Sequence, residues 1–255
     1  RDPGGSRGDA DGRGDGVTVA AAVPAKGPGE TGEAFTLGRL ALVPDLSAAL
    51  WLPEERTLVV ADLHLEKGSA YAARGVMLPP YDSTATLAAL AAAIRRHQPA
   101  RVIALGDSFH DRDAENRLAP EMRAGLTAMQ QGRDWVWITG NHDPAISRAM
   151  GGESMAEIVI ADVTLRHEPA TCEGGYEIAG HLHPAAKVRM RGRAIRRRCF
   201  ALSAQRCVMP AMGAYAGGLN LRDAAFRPLF REGLSAHLLG DGRLFRIDPR
   251  LLLPD

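Results

Sequence analysis

The stretch Thr57-Leu58-Val59-Val60-Ala61-Asp62-Leu63-His64 runs an apolar segment straight into an aspartate and a histidine. Five residues from Thr57 to Ala61, flanked by polar groups, have the length and β-branched content of a buried strand. The pattern recurs. Arg101 to Leu105 runs into Gly106-Asp107, and Asp134 to Thr139 runs into Gly140-Asn141-His142-Asp143. Three buried strands each deliver a polar cluster at the carboxyl end.

What separates these strands sets their direction. Between the first two lies a segment expected to be helical, with Asp82 or Ser83 as N-cap, Leu87, Leu90, Ala91 and Ile94 on one face, Arg95 and Arg96 in the last turn, and Pro99 beyond. A second helical stretch, Pro120 to Gln131, separates the next pair. Two β-α-β crossovers make the strands parallel neighbours in one sheet. Ligands in such sheets gather beyond the carboxyl ends, where these motifs fall.

Upstream, Phe35 to Val43 and Ala48 to Leu52 read as short strands. After Gly151 the chain is strand-rich: Glu157 to Ile160, Val163 to His167, Tyr176 to Gly180, Ala186 to Arg191, Ala194 to Leu202 and Arg206 to Met209. These predict a second sheet packed on the first. Residues 1–34 are rich in Gly, Asp, Arg and Pro without apolar periodicity, so they are expected to form a disordered tail ahead of a single domain at residues 35–255. Its Arg-Gly-Asp triplets at Arg7 and Arg13 fit chance in a repetitive stretch.

Composition narrows the class. The chain has 255 residues, 45% of them hydrophobic, enough for a sizeable core. No apolar run is long enough to span a bilayer and no signal-peptide core is present, so a cytoplasmic protein without membrane contact is expected. Cys172, Cys199 and Cys207 lack metal-ligand spacing and are expected to be reduced and structural. With 31 basic and 30 acidic side chains, net charge does not announce a nucleic-acid partner. Local charge does: Lys187, Arg189, Arg191 and Arg193 alternate along one segment, which on a strand would put them on one face, and Arg196, Arg197 and Arg198 extend the cluster. Such a stripe suits a phosphate backbone through counterion release.

Six of the eight histidines fall in five short polar motifs: DLH at Asp62 to His64, GDSFHD from Gly106, GNHD from Gly140, RHE around His167, and GHLH from Gly180. Imidazole, carboxylate and carboxamide are ligands for divalent transition metals. On a continuing strand Asp62 and His64 would share a side and chelate one ion, and His181 and His183 repeat that spacing. Asp107, Asn141 and His167 bring the candidate ligands to seven, with Asp107 the candidate bridge. Two divalent ions roughly 3.5–4 Å apart lower the pKa of a shared water and clamp the attacking and leaving oxygens of an in-line displacement. Trp135 and Trp137 read as core, His97 and His237 as capping or surface groups, and Tyr215 in the AYAGGLN turn as either a site-lining or a packing residue.

In order, these blocks resemble the calcineurin-like metallophosphoesterase superfamily pattern D-x-H, G-D, G-N-H-D/E, a lone H, and G-H-x-H. The resemblance spans Asp62 to His183. It implies a four-layer αββα sandwich: an α/β fold of two mixed sheets with flanking helices. It further implies one ion held by Asp62, His64, Asp107 and His183 and another by Asp107, Asn141, His167 and His181. His142 would then be the catalytic histidine facing the phosphate or leaving group. The sequence departs from G-D-x-x-D, where the last aspartate orients the catalytic histidine, by placing His110 there. His110 is therefore a candidate either for substrate contact or for support of the site.

Flanking segments, DLHLEKGSAYAARG at 62–75, LPPYDSTATL at 78–87 and MPAMGAYAGGLN at 209–220, are similar to the ligase-associated DNA damage response endonuclease family. That resemblance implies a manganese-dependent phosphodiesterase acting on DNA, single-stranded or flexible, with a repair ligase, helicase and nuclease as neighbours. The ligand set also accommodates iron, zinc or cobalt. It also serves a phosphomonoesterase or pyrophosphatase on nucleotides or other small phosphate esters, which is the alternative reading.

Overall fold

The computed structural model describes residues 31–79, 81–171, 174–190 and 192–255, so most of the expected tail, Cys172 and Arg191 lie outside the described residues. Seven strands form the first sheet in chain order: β1 (Phe35–Leu37), β2 (Leu40–Pro44), β3 (Leu50–Leu52), β4 (Thr57–Val60), β5 (Arg101–Leu105), β6 (Asp134–Ile138) and β7 (Glu153–Met155). Neighbours are antiparallel up to β4 and parallel from β4 to β7. The expected strand Phe35 to Val43 is in fact a hairpin, turned at Gly38 with φ 56°.

Helices fill the two crossovers, α1 (Lys67–Ala72) and α2 (Asp82–His97) before β5, α3 (Ala114–Arg117) and α4 (Pro120–Gln130) before β6. Leu87, Leu90 and Ile94 of α2 are buried as the periodicity predicts, with Trp135 and Trp137 in the same core. The expected cap differs. Tyr81 is the N-cap, and Asp82 instead accepts from Gly68 N at 2.8 Å while Ser83 Oγ donates to Glu66 Oε1 at 3.0 Å. These side chains tie the start of α1 to α2, which holds the segment after His64 in place.

The second sheet comprises β8 (Glu157–Ile160), β9 (Val163–Arg166), β10 (Tyr176–Ala179), β11 (Pro184–Met190), β12 (Arg193–Leu202), β13 (Arg206–Val208), β14 (Leu219–Asn220), β15 (Ser235–Leu239) and β16 (Leu244–Ile247). Its order is β14-β11-β12-β13-β10-β9-β8, with β15 paired to β12 and β16 to β15. Parallel and antiparallel pairs mix.

The sheets pack face to face. Val59, Ile103, Leu105 and Ile138 of the first meet Leu165, Ile178, Phe200 and Leu202 of the second. Each large side chain buried there stabilises the fold by about 1.5–3 kcal/mol. On the outer face of the second sheet Ala186, Val188, Cys199, Ala201 and Leu238 gather with Phe226 and Leu252. Short 3-10 turns and the C-terminal segment cover that face, because the sequence after Gly151 has strand spacing and no long helical period. The result is a mixed α/β fold of two mixed sheets with few flanking helices. No helix among the described residues is long and apolar enough to cross a membrane.

Cys199 and Cys207 are free and fully buried, and burial pushes both thiols up. His97 and His237 are not surface groups. His97 stacks on Trp51 at 5.0 Å and meets buried Asp45 at 2.7 Å, and His237 is buried in β15.

Candidate metal centre

Loops leaving the carboxyl ends of β4, β5, β6, β9 and β10 bring the polar motifs to one edge of the two-sheet stack. The spacing argument for Asp62 and His64 needs correction here. Strand β4 ends at Val60, and both residues lie in the left-handed region, at φ 53° and 44°. His181 and His183 do the same after β10, at φ 68° and 46°, and Asp107 after β5, at φ 47°. Convergence comes from tight left-handed turns, not from alternation along a strand.

Non-glycine residues with positive φ are uncommon and cost of order 1–3 kcal/mol each, a strain that concentrates at functional sites. Backbone bonds between loops offset it: His64 N donates to Asp107 O at 2.8 Å and Leu65 N to Ser108 O at 2.9 Å. Gly106 occupies φ 71° where a Cβ would fall 2.4 Å from His167 Nδ1. Only glycine lets that imidazole lie against the loop.

Donor atoms fall into two groups. In the first, His183 Nε2 lies 3.2 Å from both His64 Nε2 and Asp62 Oδ1. In the second, His167 Nε2 lies 3.0 Å from Asn141 Oδ1, 3.2 Å from His181 Nδ1 and 3.4 Å from Asp107 Oδ1. The other Asp107 oxygen faces the first group, 3.9 Å from His64 Nε2. Ligands about 2.1 Å from one ion at tetrahedral or octahedral angles lie about 3.0–3.4 Å apart, so these separations fit cations seated between the donors. All seven side chains singled out in the sequence are brought together. A third cluster, His64, His110 and His142, adjoins the first but contains no carboxylate.

Ring orientation is set from behind. His167 Nδ1 donates to Leu105 O at 2.9 Å, which leaves Nε2 toward Asn141 and Asp107. His142 Nδ1 donates to His110 O at 2.7 Å, which turns Nε2 to within 4.0 Å of Asp107 Oδ2. The main-chain carbonyl of His110 thus does what an aspartate side chain would do in G-D-x-x-D. The His110 ring stacks on His142 with centroids 5.2 Å apart, and its Nδ1 is buried without a partner.

Asp143, overlooked in the sequence, clasps two loops. Its Oδ1 accepts from Asp107 N and Gly140 N, both at 3.0 Å, and its Oδ2 from Ser108 N at 2.7 Å and Phe109 N at 3.1 Å. Its place at the end of GNHD was the only signal. Burial, then the Asp107 charge, raise Asp143 to about 6 against the pull of those donors, whose geometry is that around an ionised carboxylate.

Charges elsewhere divide sharply. Burial, reinforced by His183, lowers His64 to about 3, and burial with Lys67 lowers His110 to about 4. Burial also disfavours charge on His167, but the Asp107 hydrogen bond and the Asp62 and Asp107 charges outweigh it and raise the ring to about 9. Burial opposes ionisation of Asp107, yet His167 holds it down to about 2. Asp107 therefore stays ionised and favours positive charge on His167, whereas His64 and His110 are held neutral and free to donate a lone pair to a cation.

The basic segment is a hairpin, which corrects the one-face reading. Lys187 pairs with Arg196 and Arg189 with Ala194, whereas Arg193 pairs with Met190. After the turn Arg193 emerges on the opposite face, so the cationic face is Lys187, Arg189, Arg196 and Arg198. Tyr215 donates to Pro79 O at 2.8 Å, a packing contact.

Residues 55–191, more than half of the chain, match the calcineurin-like phosphoesterase family. A crystal structure of the nuclease MPE from Pseudomonas putida is 28% identical, with TM-score 0.65, over 84% of this chain and 98% of that one. The phosphoesterase Yfce from E. coli is 15% identical, with TM-score 0.36, over 75% of this chain and 97% of that one. No curated protein matches the sequence. With every donor from Asp62 to His183 inside the matched span, the chain belongs to the calcineurin-like phosphoesterase family and is a metal-dependent phosphoester hydrolase.

Proposed function

We propose that the protein is a binuclear-metal phosphodiesterase that cleaves DNA, with manganese as its working metal. The observation that carries this reading is Asp107, whose two oxygens face two separate donor groups. Asp62, His64, Asp107 and His183 would hold one ion, and Asp107, Asn141, His167 and His181 the other. When bound, the pair supplies an activated water and neutralises charge on the phosphoryl oxygens.

The chain's own residues do the rest. His142, oriented by the His110 carbonyl and partly exposed, faces the space beside Asp107 and is placed to protonate or hold the departing oxygen. The His110 ring, packed between Tyr71 and His142, serves as a positioning group for His142. Asp143 holds the Asp107 and Asn141 loops in register. A polymeric anion as substrate is supported by the cationic hairpin face and by similarity to a nuclease. A role in DNA repair, beside a ligase, helicase and nuclease, rests on the flanking motifs alone.

The test is hydrolysis of a bis-ester, a mono-ester and single-stranded DNA by the manganese-loaded protein. Turnover of the bis-ester and DNA is expected. Phosphate release from mono-esters alone would replace this assignment with a phosphomonoesterase.

A further inference from the structure

The face of the second sheet that packs against the first through Phe200 and Leu202 changes character along β12. Two and four residues before Phe200, on the same side, stand Arg198 and Arg196, with Lys187 opposite Arg196 and Arg189 further out. The apolar inter-sheet face thus becomes a row of cations where the hairpin overhangs the metal edge.

A cavity of about 200 Å³ opens between this row and the loop that follows Gly213, with a lining that includes Arg196, Arg197, Arg198, Ala216, Gly217 and Gly218. Both ends of that loop are bonded to the metal loops. Gly213 N donates to Asp62 O at 3.1 Å, and Leu219 N to His183 O at 3.0 Å. Arg198 Nη1 donates to Ala211 O at 2.7 Å and Met212 O at 3.2 Å, which directs the remainder of its guanidinium to the cavity side.

Among the described residues, Arg198, Lys187 and Arg189 have no carboxylate partner, and the N–H groups of Gly217 and Gly218 have no acceptor. Arg196 is bonded to Gly218 O and paired with Asp255 at 3.3 Å, which braces the loop. Guanidinium groups and free backbone donors around small side chains form a cradle for a tetrahedral oxyanion.

We propose that this cavity is a subsite for a non-scissile phosphate of a polynucleotide, one that neighbours the phosphate at the metals, with Lys187 and Arg189 continuing the track outward. The inference rests on the phosphodiesterase reading and adds to it the reason for preferring a strand to a single small ester. A substrate with one phosphate reaches the metals but leaves the cradle empty.

The test compares kcat/KM of the manganese-loaded full chain on a short single-stranded oligonucleotide and on bis-p-nitrophenyl phosphate. Gly217→Asp is informative because a Cβ at Gly217 meets nothing within 4 Å, so the new carboxylate has room in the cradle. The ratio of the two kcat/KM values is expected to fall at least tenfold toward the bis-ester. For Lys187→Gln, the slope of log KM for the oligonucleotide against log salt should become shallower by about one.

A ratio within twofold of the parent's, or equal losses on both substrates, overturns the subsite. If Gly217→Asp fails to fold, Lys187→Glu carries the same ratio test. A parent protein that hydrolyses the bis-ester but no oligonucleotide would overturn the nuclease reading itself, independently of the cradle.

Discussion

Replacing Gly106 by alanine combines two costs that the structure separates. Its φ of 71° is left-handed, which costs an L-residue about 1–2 kcal/mol. The new Cβ would also fall 2.4 Å from His167 Nδ1 and 2.5 Å from its Cγ, an overlap that displaces the ring at about 1–3 kcal/mol. The sum is about 2–5 kcal/mol of lost stability. Displacing His167 also disturbs its bond to Leu105 O, a change behind a metal ligand that typically weakens metal affinity by about 10–100-fold.

Gly132 provides the control. It has φ 73°, yet a Cβ there meets nothing within 4 Å. Gly132→Ala should therefore cost only the backbone fraction, about 1–2 kcal/mol, and leave manganese binding unchanged. Urea denaturation of the metal-free proteins and manganese titration of each would measure both effects. Equal stability loss in the two variants, or unaltered manganese affinity in Gly106→Ala, would refute the claim that Gly106 exists to admit His167.

Gly140→Ala places a Cβ 2.3 Å from Asp107 N and Oδ1, so manganese content should fall with a stability loss of about 1–3 kcal/mol; full metal occupancy in this variant would count against Asp107 as the shared ligand. His142→Ala should lower kcat by about 10²–10⁴-fold while retaining metal, whereas Asp107→Ala should lose both; equal metal loss in elemental analysis would overturn that division of roles. His167 is raised to about 9 in the metal-free fold, so the charged ring stabilises that fold fully below about 6.5 and the contribution is lost as pH rises through 9. A metal must displace that proton, and manganese affinity should therefore rise about tenfold per unit between pH 7 and 8; a flat titration would exclude His167 as a ligand.

Strands β5 and β8 have the bounds that their apolar runs predict, and both crossovers follow from the spacing of their helices. Such elements are legible because burial imposes period and length on the sequence. The seven donors were legible for a different reason: metal chemistry restricts residue type, and five motifs in order are a dense signal. How they converge was hidden. Left-handed backbone at Asp62, His64, Asp107, His181 and His183 depends on bonds between distant loops, such as His64 N to Asp107 O, which no local pattern records.

Other departures share that origin. Arg193 left the cationic face because the chain turns back after Met190, and alternation holds only within one strand. Asp82 and Ser83 have capping chemistry, but Gly68 N and Glu66 compete for it successfully. His237 is buried because β15 pairs with β12, a contact between strands far apart in the chain. The role of Asp143 was invisible because its four donors belong to two loops that meet only in the folded protein.

The most direct measurement is an anomalous difference map from crystals of the protein grown with manganese. Two peaks flanking the Asp107 carboxylate are predicted, one beside Asp62, His64 and His183 and the other beside Asn141, His167 and His181. A single peak, or peaks away from Asp107, would contradict the shared-carboxylate centre.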